Sequence, residues 1–192
     1  MNMKTCILTA MALIPIIGMA QNNAYRLTIR LSHPAPGAKA YLVREYGMTD
    51  QKTLDSAGLQ HGLFTFHGPV GSQPSKAMIV IGHAGGLDKY SREADARVVW
   101  LVNGDTHYKG ADSIRTAMVT GSQINIDEAS YEAEVLSIDR KAEDSLNAAF
   151  RDAGDARRKD PVFRGVLTDY FNSIVRQRDS MTLVWIGHHP ES

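Results

Sequence analysis

Seven histidines, His33, His61, His67, His83, His107, His188 and His189, are the residues best suited to ligate a metal or move a proton, beside a single cysteine, Cys6. A zinc centre needs three or four ligands brought together and held by supporting carboxylates. No H-x-x-x-H helix or comparable spacing is present. His61 and His67 flank one extended arm, and six residues of strand separate them by about 20 Å, too far for one ion. No metal site is expected, and the histidines read as loop or surface residues.

Nucleophile chemistry has no better footing. Ser56 stands two residues before Gly58 and Ser122 directly follows Gly121, but neither lies in G-x-S-x-G, and no His or Asp can be assigned to either. Gly82-His83-Ala84-Gly85-Gly86 lacks the G-x-G-x-x-G order of a phosphate-cradling loop and reads as a connection. The acid-rich run Asp127 to Asp144, with Arg140 and Lys141 among it, reads as a solvated helix face. Along it Glu128 and Glu132 repel at i,i+4, whereas Arg140 and Asp144 are spaced to pair. Tyr170, Phe171 and Trp185 read as helix-pair core, with a partner surface as the alternative if the helices continue into a further domain. No catalytic or cofactor-binding residue is singled out, no cofactor is expected, and the chain reads as a non-enzyme.

The elements that carry these residues are β-rich at first and helical afterwards. Tyr25 to Leu31 alternates Leu27, Ile29 and Leu31 with polar neighbours, the period of a half-buried strand. Pro34-Ala35-Pro36-Gly37 breaks it, and a second strand runs from Ala40 towards Gly47. Thr53–Ala57 and Leu63–Gly68 are predicted to pair as a hairpin around Gly58 and Gly62, with Phe64 and Phe66 on one face as core. Further strands are predicted over Lys76–Gly82, Ala96–Asn103, Thr106–Lys109 and Ser113–Val119, with Asn103-Gly104 as a tight hairpin turn. About eight short strands without intervening helices favour an antiparallel β-sandwich or open barrel.

From Asn125 to Gly154 the chain is free of Pro and Gly, and Tyr131, Val135, Ile138, Ala142, Leu146 and Ala149 recur by threes and fours. That is one apolar face of a long helix, with Asp127 and Glu128 suited to its first turn. Pro161 opens a second helix, with Phe163, Leu167, Tyr170, Ile174, Met181 and Trp185 on one side. Two such helices joined by a polar link should fold back as an antiparallel hairpin.

At 192 residues the chain suffices for one domain and an appendage, burying about 70% of its unfolded surface. Its 21 basic and 21 acidic residues cancel, so nucleic acid is not an expected partner. Lys4, the apolar run Ile7–Ile17 and Gly18-Met19-Ala20 have the order of a secretory signal peptide, and the run is too short to span a membrane. The expected layout is 1–20 signal peptide, 21–124 β-sandwich, and 125–192 helical hairpin and connector. Export to the periplasm or cell envelope follows, with no transmembrane segment once the signal is removed. Cys6 precedes the apolar run, so the mature chain holds no thiol and no C-x-x-C pair.

In order along the chain stand YRLTIRL, AYLV, LDSA-x3-HG-x-F-x-F-x-G, a proline-led apolar strand, WLVNGD, and DSIRTAMVTGS-x-x-N. Together they resemble the N-terminal domain of unknown function of envelope thioredoxin-like thiol:disulfide oxidoreductases. The segment Asp112 to Asn125 is the most specific, and the resemblance runs from residue 24 to about 125, more loosely through the helices to Ser192. Ser32 stands where that family usually has glycine. The ending Val184-Trp185-Ile186-Gly187-His188-His189-Pro190-Glu191-Ser192 looks like the connector that in those proteins leads into a thioredoxin fold bearing C-x-x-C. Activity there belongs to the thioredoxin fold, so the resemblance transfers no catalytic residue.

The resemblance implies a non-catalytic accessory domain that binds a protein partner or a thioredoxin-fold domain. Two alternatives remain: a small-ligand binder or enzyme with a site in the sandwich, and a homo-oligomer formed through the helices.

Overall fold

The computed structural model describes residues 23–190 apart from positions 46, 88, 90 and 92. The expected signal peptide, its cleavage point near Gln21 and Cys6 lie outside the described residues. Eight strands form two four-stranded sheets. The first has the order β4 (Leu63–Pro69), β1 (Ala24–Leu31), β7 (Gly104–Gly110), β8 (Met118–Thr120). The second has the order β3 (Lys52–Gly58), β2 (Lys39–Arg44), β5 (Ser75–Gly82), β6 (Ala96–Leu101). The period-two pattern does its expected work: Leu27, Ile29, Phe64, Phe66 and Tyr108 from one sheet meet Leu42, Ile79, Ile81 and Val99 from the other in one buried core. A smaller cluster, Val43 and Val80 with Tyr41, Met78, Leu87 and Ala94, forms on the second sheet's outer side.

The sandwich is therefore present, but two predicted hairpins are not ladders. β3 and β4 belong to opposite sheets, and only Gln60 and Leu63 exchange main-chain hydrogen bonds, both 2.9 Å. His61 (φ 51°) and Gly62 (φ 77°) make the left-handed pair of a tight turn. Beyond that turn the arms split, because Leu54 and Ala57 pack on the same core as Phe64 and Phe66. Two arms that both turn apolar faces inward satisfy one another across the sandwich rather than edge to edge. The same happens at Asn103-Gly104: β6 lies in the second sheet, and β7 crosses to the first, where it runs parallel to β1. Asn103 Oδ1 fixes this corner by accepting the Ala24 N–H at 3.2 Å. The strand predicted over Ser113–Val119 shrinks to Met118–Thr120, since Ser113–Ala117 is a turn held by Asp95.

The helical half begins two residues earlier than expected, with α1 (Gln123–Tyr131) and Ser122 at its N-cap. Asp127 and Glu128 consequently fall beyond the first turn. The predicted single long helix is interrupted by a π turn, Glu132–Leu136, before α2 (Ser137–Asp152). The wide turn adds a residue and so rotates the helix phase. Asn125 and Asp127 before it are buried near the sandwich, whereas Val135 and Ala142 are buried after it. The polar link contains a short helix, α3 (Asp155–Lys159). Pro161 then opens α4 (Pro161–His188), with the Asp160 carboxylate accepting the Val162 N–H at 2.9 Å.

The helices fold back antiparallel. Tyr131 Oη lies 3.1 Å from Thr182 Oγ1, Trp185 Nε1 donates to Ser130 Oγ at 3.2 Å, and Arg178 pairs with Asp139 at 3.3 Å. Tyr131 and Trp185 meet edge to face with centroids 5.2 Å apart. Among the described residues no helix is long and apolar enough to cross a membrane.

Candidate functional site

Three places concentrate side chains that could act: the seam between sandwich and α1, a polar groove at the end of the second sheet, and the outer side of α4. At the seam, β6 is an edge strand whose main chain would otherwise lie unpaired. Asn125 closes it. Its Oδ1 accepts the Trp100 N–H at 2.8 Å and its Nδ2 donates to the Trp100 carbonyl at 2.9 Å, so one side chain stands in for a neighbouring strand. Nδ2 also donates to Ser122 Oγ at 3.0 Å, and Tyr108 Oη lies 3.4 Å from Oδ1. Beside it Trp100 Nε1 donates to Glu128 at 2.9 Å.

Arg97 carries the rest of the seam. In the alternation of β6 it stands in phase with Val99 and Leu101 and is only 8% exposed. Its guanidinium donates to the carbonyls of Ala117 and Ile114, pairs with Glu132 at 3.5 Å and lies 5.5 Å from the Tyr108 ring centroid. Burial raises the Glu132 carboxyl above its usual range, the Arg97 charge opposes that rise and Glu128 adds to it. Burial likewise pushes the Tyr108 phenol well up. The whole arrangement is satisfied internally and holds the hairpin on the sandwich. An arginine at an inward position of a strand was the sequence signal for it.

The polar groove is lined by His33, His83, Glu93, Asp95, Asp112 and Arg115 and has a volume of about 440 Å³. Asp95 is its buried centre. One carboxylate oxygen lies 3.0 Å from His83 Nε2; the other accepts Ser113 Oγ at 2.6 Å, Ile114 N–H at 3.0 Å and Arg115 N–H at 3.3 Å. A serine nucleophile needs an imidazole between hydroxyl and carboxylate. Here the carboxylate stands in the middle and takes the serine hydrogen bond itself, so the cluster ties the His83 loop to the Ser113 turn without activating Ser113. Neither Asp95 nor Ser113 stood out in the sequence, because eighteen residues separate them.

The structure scatters the sequence candidates. His33 and His83 share the groove, His61 sits in the tight turn, His67 and His107 lie on the first sheet, and His189 stacks on Trp185 with centroids 4.1 Å apart. Among the described residues no three His, Cys, Asp or Glu side chains are placed to hold a metal ion. Ser56 lies on edge strand β3, and the Ser122 hydroxyl accepts from Asn125. The Gly82–Gly86 stretch is a turn whose Gly85 carbonyl accepts the Tyr41 hydroxyl at 2.6 Å. Trp185 is half-buried in the hairpin as expected, but Tyr170 and Phe171 are exposed rather than core. They accompany a broader apolar surface on α4 that includes Val162, Val166, Leu183 and Val184, the first 74% exposed and the third 73%.

No curated protein sequence and no solved structure matches the chain. A family model described as a domain of unknown function, DUF4369, matches residues 25–127, which takes in the eight strands but for Ala24 and ends inside α1. That match covers just over half of the 192 residues, and the chain belongs to the DUF4369 family.

Proposed function

We propose that this protein is a non-catalytic accessory domain exported to the cell envelope, where it binds a protein partner through its C-terminal helix. The observation that carries this reading is α4: 28 residues long, it buries none of them fully and turns Val162, Val166, Leu183 and Val184 to solvent. Val162, Val166 and Tyr170 follow one another at intervals of four and so share one side of the helix. Apolar side chains in that arrangement are the anchors by which a helix docks to a groove or to another helix.

The resemblance of the ordered sequence motifs, Asp112–Asn125 above all, to the N-terminal domain of thioredoxin-like oxidoreductases makes a thioredoxin-fold domain the occupant of choice. Two features support the non-catalytic part. Past Cys6 the sequence has no thiol, and the buried Asp95 of the polar groove already spends its oxygens on Ser113, His83 and two main-chain donors. In an insulin-reduction assay the full chain should give background rates, and it should bind an envelope thioredoxin-fold domain in a manner that arginine at Val166 or Leu183 disrupts. Catalysed exchange, or indifference to those substitutions, would overturn the reading.

A further inference from the structure

We propose that the outer face of the first sheet is a binding site for a small, soluble phosphate monoester, held chiefly by Arg30 and Lys109. Strand register sets the two cations side by side. Arg30 on β1 stands opposite Lys109 on β7, with Leu63 on β4 beyond the arginine and Met118 on β8 beyond the lysine, one row across four strands. The next row is Thr65, Thr28, His107, Thr120. All alternate with buried core residues, so they share the solvent side. A depression of about 300 Å³ lies over these two rows, lined by Thr28, Arg30, His107, Lys109, Met118 and Thr120.

Neighbouring strands lie about 4.8 Å apart, and like charges set opposite one another there destabilise a sheet. Arg30 and Lys109 nonetheless face each other, and neither has an ion-pair partner among the described residues. A chain whose charges cancel overall thus concentrates two uncompensated cations in one depression. Such a local conflict is expected where a ligand resolves it.

The ligand's chemistry follows from the donors. Two fixed positive charges match the charge of about −2 on a phosphate monoester better than a carboxylate's single charge. The guanidinium fork binds two phosphate oxygens, and the flanking Thr28 and Thr120 hydroxyls can serve the third. Leu63 and Met118 at the two ends of the row, the latter 72% exposed, offer apolar surface to the ester's carbon skeleton. A membrane surface is the poorer occupant, because polybasic lipid contacts use some four to eight Lys or Arg. This face holds three, and Asp105 lies 3.8 Å from the third, Arg26.

The site lies on the sandwich and is independent of the partner reading of α4. Amide NMR of the full chain during titration with glycerol 3-phosphate, at constant ionic strength, tests it. Saturable shifts at Thr28, Arg30, His107, Lys109 and Thr120 are expected, with a dissociation constant on the order of 1 mM. Arg30→Gln and Lys109→Gln should each weaken binding about tenfold, while Lys52→Gln on the other sheet changes nothing. Because both cations are exposed, the variant spectra also report that the fold is intact. Shifts that rise linearly, that chloride reproduces, or that both variants retain would overturn the site. Flotation with phosphatidylcholine vesicles, with or without phosphatidic acid, should recover no protein. Recovery that depends on phosphatidic acid and on Arg30 and Lys109 would overturn the soluble source.

Discussion

Replacing Asn125 by alanine should cost more than any other change of similar size. The side chain is 2% exposed and makes four hydrogen bonds, two of them to the main chain of Trp100 on the edge of the second sheet. In Asn125→Ala the Trp100 N–H and carbonyl lose their partners together, and each buried group left unpaired costs about 1–3 kcal/mol. Trp100 is half-buried, so water recovers part of this, and a net loss of about 3 kcal/mol remains. With a urea slope of about 2 kcal/mol/M, the midpoint falls by roughly 1.5 M. Asn125→Asp is the sharper variant. It keeps the shape and the acceptor oxygen but puts a carboxylate against the Trp100 carbonyl, so it should lose at least as much at neutral pH and recover in acid as the carboxyl gains a proton to donate. Urea unfolding followed by circular dichroism and tryptophan fluorescence measures both. An alanine variant that loses less than about 1 kcal/mol, or an aspartate variant as stable as the parent at neutral pH, would show that Asn125 does not stand in for a neighbouring strand.

Other outcomes follow from the same geometry. His61→Asn should raise stability by about 0.5–1 kcal/mol in thermal unfolding, because φ 51° is a conformation asparagine visits more readily than histidine; a loss would count against the turn assignment. Gly82→Ala should cost more than about 2 kcal/mol, since its Cβ would meet the Gly86 carbonyl oxygen at 1.7 Å, whereas Gly154→Ala, with nothing within 4 Å, should be close to neutral. Glu132 gives a pH dependence. Its raised folded pKa means that protonation favours the folded state: the gain is complete below the usual value of 4.5 and is lost as pH rises through the higher folded value. Stability of the parent minus that of Glu132→Gln, measured from mildly acidic to neutral pH, should therefore fall with rising pH, and a rise would show that pairing with Arg97 outweighs burial.

Strand existence was legible because alternation is a local signal: Leu27, Ile29, Phe64 and Phe66 announce their inward face wherever the strand ends up. Pairing was not, because alternation tells which face is apolar and not which sheet holds the strand. The turns at His61-Gly62 and Asn103-Gly104 look alike in sequence whether the chain reverses within a sheet or crosses between two. The helix pair was readable from its stripes, and the Pro161 start from proline chemistry. The π turn at Glu132–Leu136 carries no composition signal, because no Gly or Pro marks it. The segment Asp112–Asn125 could be recognised but not explained. The structure explains its end: Asn125 closes the edge of β6, and the turn before it is pinned by Asp95. Arg30 and Lys109 were invisible as a pair, because seventy-nine positions separate residues that the parallel β1–β7 ladder brings side by side.

If the exposed side of α4 receives a partner, calorimetric titration of the full chain with a purified envelope thioredoxin-fold domain will register it. Saturable binding with a dissociation constant on the order of 1 μM is expected, weakened at least about tenfold by Val166→Arg and by Leu183→Arg. Met48→Arg, at an exposed apolar residue outside α4, should leave it unchanged. Absent binding, or binding that all three variants share equally, would contradict it.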